Sequence, residues 1–64
     1  MLARMAIKRL RKQRGLSQRA LAARAGISRV YLARLESGER RNPGVVTVQA
    51  LAAALGVELK ELLR

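Results

Sequence analysis

The sequence predicts an all-α fold, a compact bundle of five short helices, and three observations lead to it. Half of the 64 residues are apolar, yet Tyr31 is the one aromatic, so the core must be built from Leu, Val, Ile, Met and Ala. Side chains of that kind suit close helix packing. Consecutive β-branched residues occur at Val45–Val48, and no stretch alternates apolar and polar for long, which argues against strands. Gly15, Gly26, Gly38, Gly44 and Gly56 then stand where helices of ordinary length would begin or end.

The first helix is expected from about Ala3 to Arg14, with Leu2, Ala6, Ile7 and Leu10 recurring at three- and four-residue spacings. Lys8, Arg9 and Lys12 occupy its other faces, and Gly15 closes it beside basic residues that suit the negative end of the helix dipole. Ser17 caps a second helix, Gln18 to Ala25, which Gly26 ends. Ser28 caps a third, which runs to about Glu36 before Ser37 and Gly38. Residues 38–44, GERRNPG, form a turn-rich loop in which Pro43 drives Asn42 away from helical geometry. Gly44 and Thr47 compete to cap the fourth helix. Gly44 is preferred, because Val45, Val48, Ala52 and Leu55 then share one face. Gly56 stops that helix, and a short fifth one is expected over Glu58 to Leu63. No repeat, low-complexity segment or second domain interrupts this, so residues 1–64 read as one domain.

Composition excludes several functions. With no cysteine and no histidine, the chain lacks disulfides, thiolate or imidazole metal ligands and the commonest general base. Its carboxylates are four glutamates with no nucleophile or Gly-rich motif beside them, so no enzyme, no metal site and no cofactor is expected. No apolar run approaches the roughly 20 residues of a membrane span. The basic N-terminus lacks the apolar segment of a secretory signal, so a cytoplasmic location is expected. The net charge is +10, and Glu36, Glu39, Glu58 and Glu61 all follow residue 35, whereas ten of the fourteen basic residues precede it. A polyanionic partner is the natural complement of such a field, and nucleic acid fits it better than an acidic membrane surface.

Residues 17–38, SQRALAARAGISRVYLARLESG, sharpen that expectation. On a helical wheel Tyr31, Leu32 and Leu35 share one face of the third helix, while Arg29, Val30, Ala33 and Arg34 fall opposite. Leu21, Ala22 and Ala25 cluster likewise in the second helix, with Arg19, Ala23 and Arg24 pointing away. Ala22 is small where the two helices must cross closely, and Gly26 stands where the chain must reverse. One helix held across another, with arginines turned from the core, is the geometry for reading a DNA major groove.

The run from Ile7 to Val57 resembles the helix-turn-helix domains of phage Cro and repressor proteins, widespread in bacterial regulators. It carries R-x-x-x-G-L-S-Q, L-A-x-x-A-G-I-S, Y-L-x-x-L-E-x-G, a Pro-containing loop and A-L-G-V in the matching order. The resemblance implies a DNA-binding domain that acts as a homodimer on a palindromic operator. It places Ser28, Arg29, Val30 and Arg34 at base-reading positions, where arginine can pair with guanine O6 and N7 and valine offers only an apolar contact. It places Gln18, Ser37, Arg41 and Asn42 at phosphate contacts, which set register rather than sequence. It also implies a partly buried pair between Arg11 and Glu36. Where the family often has polar groups, this chain carries Ala20, Ala23 and Ala33, which implies fewer base contacts and more affinity from charge.

The expected function is a transcriptional regulator of double-stranded DNA. An antitoxin-type or other protein-binding module on the same fold and a low-specificity basic DNA binder are the alternatives. Leu59, Leu62 and Leu63 either form a dimer surface or close the core; the sequence leaves both open.

Overall fold

The computed structural model describes residues 4–63, and the side chains of residues 5–63. Four α-helices follow one another, α1 (Arg4–Gln13), α2 (Gln18–Ala25), α3 (Arg29–Ser37) and α4 (Val45–Leu55), followed by a single 3-10 turn, Leu59–Leu62. Each helix falls where its stop and start signals placed it, within a residue or two. Leu2 and Ala3, expected in the first helix, lie outside the described residues.

Caps explain the boundaries. Ser17 and Ser28 hold extended backbone, and their hydroxyl oxygens accept the N–H groups of Ala20 and Tyr31, each at 3.0 Å. A donor that the first turn would leave unpaired is satisfied in each case. At the end of α2, Gly26 takes φ 73°, its N–H reaches the Ala23 carbonyl at 3.3 Å, and the Ile27 N–H reaches the Ala22 carbonyl at 3.0 Å. This pair of bonds turns the chain sharply and sends the partly buried Ile27 back toward the core.

The core is aliphatic. Ile7 and Leu10 of α1, Leu21 and Ala22 of α2, Leu32 and Leu35 of α3, and Val48, Leu51, Ala52 and Leu55 of α4 are buried together. α2 lies against both α3 and α4, while α1 packs on α3, α4 and the terminal turn. Ala22, the small residue of α2 in this core, is enclosed. A larger group there would have to displace packed neighbours at interior density.

Two expectations are corrected and one open alternative is resolved. Val45 is 66% exposed, and the buried stripe of α4 is Val48, Leu51, Ala52 and Leu55. Periodicity gave the direction of that face but not its length, because α4 begins one turn before its neighbours offer anything to cover it. The fifth helix is not an α-helix. Four residues cannot sustain an i to i−4 ladder, so the Glu61 N–H closes a tight turn onto the Glu58 carbonyl at 3.0 Å, while the Glu58 N–H is accepted by Glu61 Oε2 at 3.1 Å. Leu63 returns to extended backbone at φ −113° and ψ 137°. Finally, Leu62 is fully enclosed and Leu59 is partly buried against the core, so of the three C-terminal leucines only Leu63 is exposed. Leu62 therefore closes the core and offers nothing to a second chain.

No described helix is long and apolar enough to cross a membrane, and no cluster of potential metal ligands occurs among the described residues.

Candidate nucleic-acid interface

α2 and α3 are held in fixed relation by one carboxylate. Arg11, in the last turn of α1, donates from Nε to Glu36 Oε2 at 2.8 Å and from Nη2 to Glu36 Oε1 at 3.0 Å. Its Nη1 donates to the Leu16 carbonyl at 2.9 Å, which fastens the loop before α2. Gln18, the first residue of α2, donates from Nε2 to Glu36 Oε1 at 3.0 Å. Three segments thus converge on Glu36, whose side chain is 4% exposed. Burial alone pushes the Glu36 carboxyl upward. The hydrogen bonds from Arg11 and Gln18, with the charges of Arg11 and Lys8, outweigh it and hold the group below its ordinary value.

Gln18 therefore has a structural task that sequence reasoning missed. One N–H of its amide serves Glu36, and the other is free to donate outward. It sits at the start of α2, where the helix dipole and unpaired backbone N–H groups favour an anion.

Along α3 the separation of packing and exposed residues follows the helical period. Leu32 and Leu35 are fully buried, Tyr31 is partly buried, and Ser28, Arg29, Val30 and Arg34 are exposed. Val30, 51% exposed, is an apolar side chain that the core does not claim. Arg29 makes no hydrogen bond or ion pair within the protein among the described residues. The Ser28 hydroxyl oxygen is occupied as a cap but its hydrogen is not, so it can still donate.

The other predicted contacts divide. Ser37 is exposed, but its hydroxyl donates to the Arg34 carbonyl at 3.1 Å and accepts the Glu39 N–H at 3.3 Å. Its hydrogen is committed to the end of α3. Arg41 and Asn42 are exposed in the loop. Asn42 holds φ 52°, a left-handed conformation that asparagine tolerates better than most residues. Arg34 keeps its Nε 3.4 Å from Glu39 Oε2.

Arg40 is the addition. Its guanidinium carbon lies 5.1 Å from the centre of the Tyr31 ring, within the range of a cation–π contact. Two adjacent arginines in the loop gave no sequence signal to tell the stacked one from the free one. Only three ion pairs form among the described residues, Arg11–Glu36, Arg34–Glu39 and Lys60–Glu58. Arg19 and Arg24 of α2, Arg29 of α3, and Arg41 stand exposed without a carboxylate against them.

Residues 7–62 match the helix-turn-helix family. An uncharacterized HTH-type transcriptional regulator, y4dJ of Sinorhizobium fredii, is 54% identical over 54 residues, which are 84% of this chain and 69% of that protein. The immunity repressor protein of Bacillus phage phi105 is 45% identical over 56 residues, 88% of this chain but only 38% of the repressor. Among solved structures, SinR, the master regulator for biofilm formation, in complex with DNA superposes with a TM-score of 0.91 at 33% identity, covering 95% of this chain and 97% of that one. With the turn at Gly26, the buried seam of α2 and α3 and these likenesses together, the chain belongs to the helix-turn-helix family of DNA-binding transcriptional regulators.

Proposed function

We propose that this protein binds duplex DNA as a bacterial-type transcriptional regulator, with α3 in the major groove and two copies on a palindromic operator. The observation that carries the reading is the first turn of α3. Arg29 and Val30 are exposed there and make no hydrogen bond or ion pair among the described residues, while Leu32 and Leu35 anchor the helix to the core. Arg29 and Arg34 would each pair with a guanine, Val30 would meet a thymine methyl, and Ser28 would donate to a base edge or phosphate. Gln18, Arg41 and Asn42 would hold the phosphates on either side, fixing register without reading sequence. Ser37 joins them only by releasing the Arg34 carbonyl, so it is the weakest member of the set.

A dimer would place its half-sites about 34–36 Å apart, one turn of DNA. Such a regulator works where the chromosome is, in the cytoplasm. Val30 and Ala33, which donate no hydrogen bonds, favour a modest specificity carried partly by the +10 charge.

Binding selection from random duplexes, followed by sequencing, tests the reading. Arg29→Ala should relax preference at one base position, whereas Gln18→Ala should weaken binding to all sequences alike. If both variants lower affinity uniformly, Arg29 does not read a base. If no sequence is enriched at all, the chain is a charge-driven binder without an operator.

A further inference from the structure

Arg34 leaves α3 in an exposed ion pair, its Nε 3.4 Å from Glu39 Oε2. Nη1 and Nη2 have no partner within the protein among the described residues. Those two nitrogens form an edge that a guanidinium can present to guanine O6 and N7.

The position of Glu39 is itself built. Its N–H is accepted by Ser37 Oγ at 3.3 Å, and that hydroxyl donates to the Arg34 carbonyl at 3.1 Å. The next amide, Arg40 N–H, donates to the same carbonyl at 3.1 Å, and the Arg40 guanidinium lies over the Tyr31 ring. The turn after α3 is thereby folded back on the helix it follows, with its one acid beside Arg34.

We infer that Glu39 is a positioning residue that sets how Arg34 reads its base pair. The carboxylate pairs with Nε and restrains the Arg34 side chain while leaving the Nη edge without a partner, so that less side-chain freedom remains to be lost on binding. An acid close to a polyanion also opposes association with any sequence. Glu39 therefore trades affinity for discrimination, which a purely structural residue would not do. The inference rests on the reading of Arg34 as a base contact.

The test is the same selection from random duplexes, run with the intact chain and with Arg34→Ala, Glu39→Gln and the double variant. Arg34→Ala should abolish preference at one base pair, a loss of about 5- to 150-fold. Glu39→Gln should reduce preference at that same position on the order of two- to fivefold, the size an exposed ion pair can carry, while raising affinity for unselected DNA. In the Arg34→Ala background, Glu39→Gln should change no preference further. If Arg34→Ala alters a preference that Glu39→Gln leaves intact, the positioning role fails while the base contact stands. If Arg34→Ala alters none, the base contact itself fails and the inference falls with it.

Discussion

Arg11 and Glu36 lie twenty-five residues apart and meet through two parallel hydrogen bonds of 2.8 and 3.0 Å, in a pocket that leaves their side chains 10% and 4% exposed. Such a pair need not exceed what apolar residues of the same shape would contribute, but breaking it strands a buried charge. In this fold it also carries the alignment of α2 on α3, through the third hydrogen bond from Gln18.

Glu36→Ala should therefore cost about 3–5 kcal/mol, against less than about 1 kcal/mol for Glu39→Ala at its exposed pair. In a domain of this size each kcal/mol moves Tm by about 4–8 °C. Thermal unfolding followed by circular dichroism separates the two variants easily. Equal melting temperatures would mean that the buried pair stabilises nothing.

Acid should dissolve the same contribution. Burial raises the Glu36 pKa, the Arg11 and Gln18 bonds lower it further than burial raises it, and the folded value ends below the ordinary 4.5. The unfolded chain then binds the proton first as pH falls. Stability from this group is whole above the ordinary value and is lost as pH drops through the folded one. The Tm gap between the wild-type chain and Glu36→Gln should narrow as pH falls below the ordinary carboxyl value and through the lower folded one. A gap that stays constant throughout acidification would remove the carboxylate as its source.

Gly26→Ala should destabilise by about 1–2 kcal/mol, because a side chain at φ 73° is strained although a Cβ there meets nothing within 4 Å. Gly44 offers a comparison at an ordinary φ of −63° with equally open surroundings, where alanine forfeits only glycine's preference at the N-cap. Chemical denaturation of Gly26→Ala and Gly44→Ala should show the first losing at least twice as much. Similar losses would place the cost in something other than backbone conformation.

Arg41→Ala removes an exposed loop cation that no acid neutralises. Binding to all duplexes should weaken alike, and the slope of log K against log salt should fall in magnitude by about 1. Fluorescence titrations at several salt concentrations measure this directly. An unchanged slope would take Arg41 off the phosphate backbone.

Local chemistry was the legible part of this chain. Ser17, Ser28 and Gly26 announce their roles because caps and left-handed turns are decided within four or five residues. The burial of Leu32 and Leu35 opposite Arg29 and Arg34 follows from the helical period alone. The pairing of Arg11 with Glu36 depends on α1 meeting α3 across twenty-five residues, and only the family resemblance made it visible beforehand. Gln18 donating to Glu36 was hidden for a simple reason: an amide has two N–H groups, and attention to the outward one says nothing of the other. Val45 and the 3-10 turn at Leu59–Leu62 show a further limit. Periodicity states which way a side chain points, but it does not say where the surrounding layer ends or whether a helix has room for a second turn.

Tyr31 has a use beyond packing. The chain has no tryptophan or phenylalanine, so its one tyrosine is the only intrinsic fluorophore. It sits on α3, edged into the core on one side and covered by the Arg40 guanidinium on the other. Emission from the unlabelled protein therefore comes from a single known place, and in a titration it would be α3 alone that speaks.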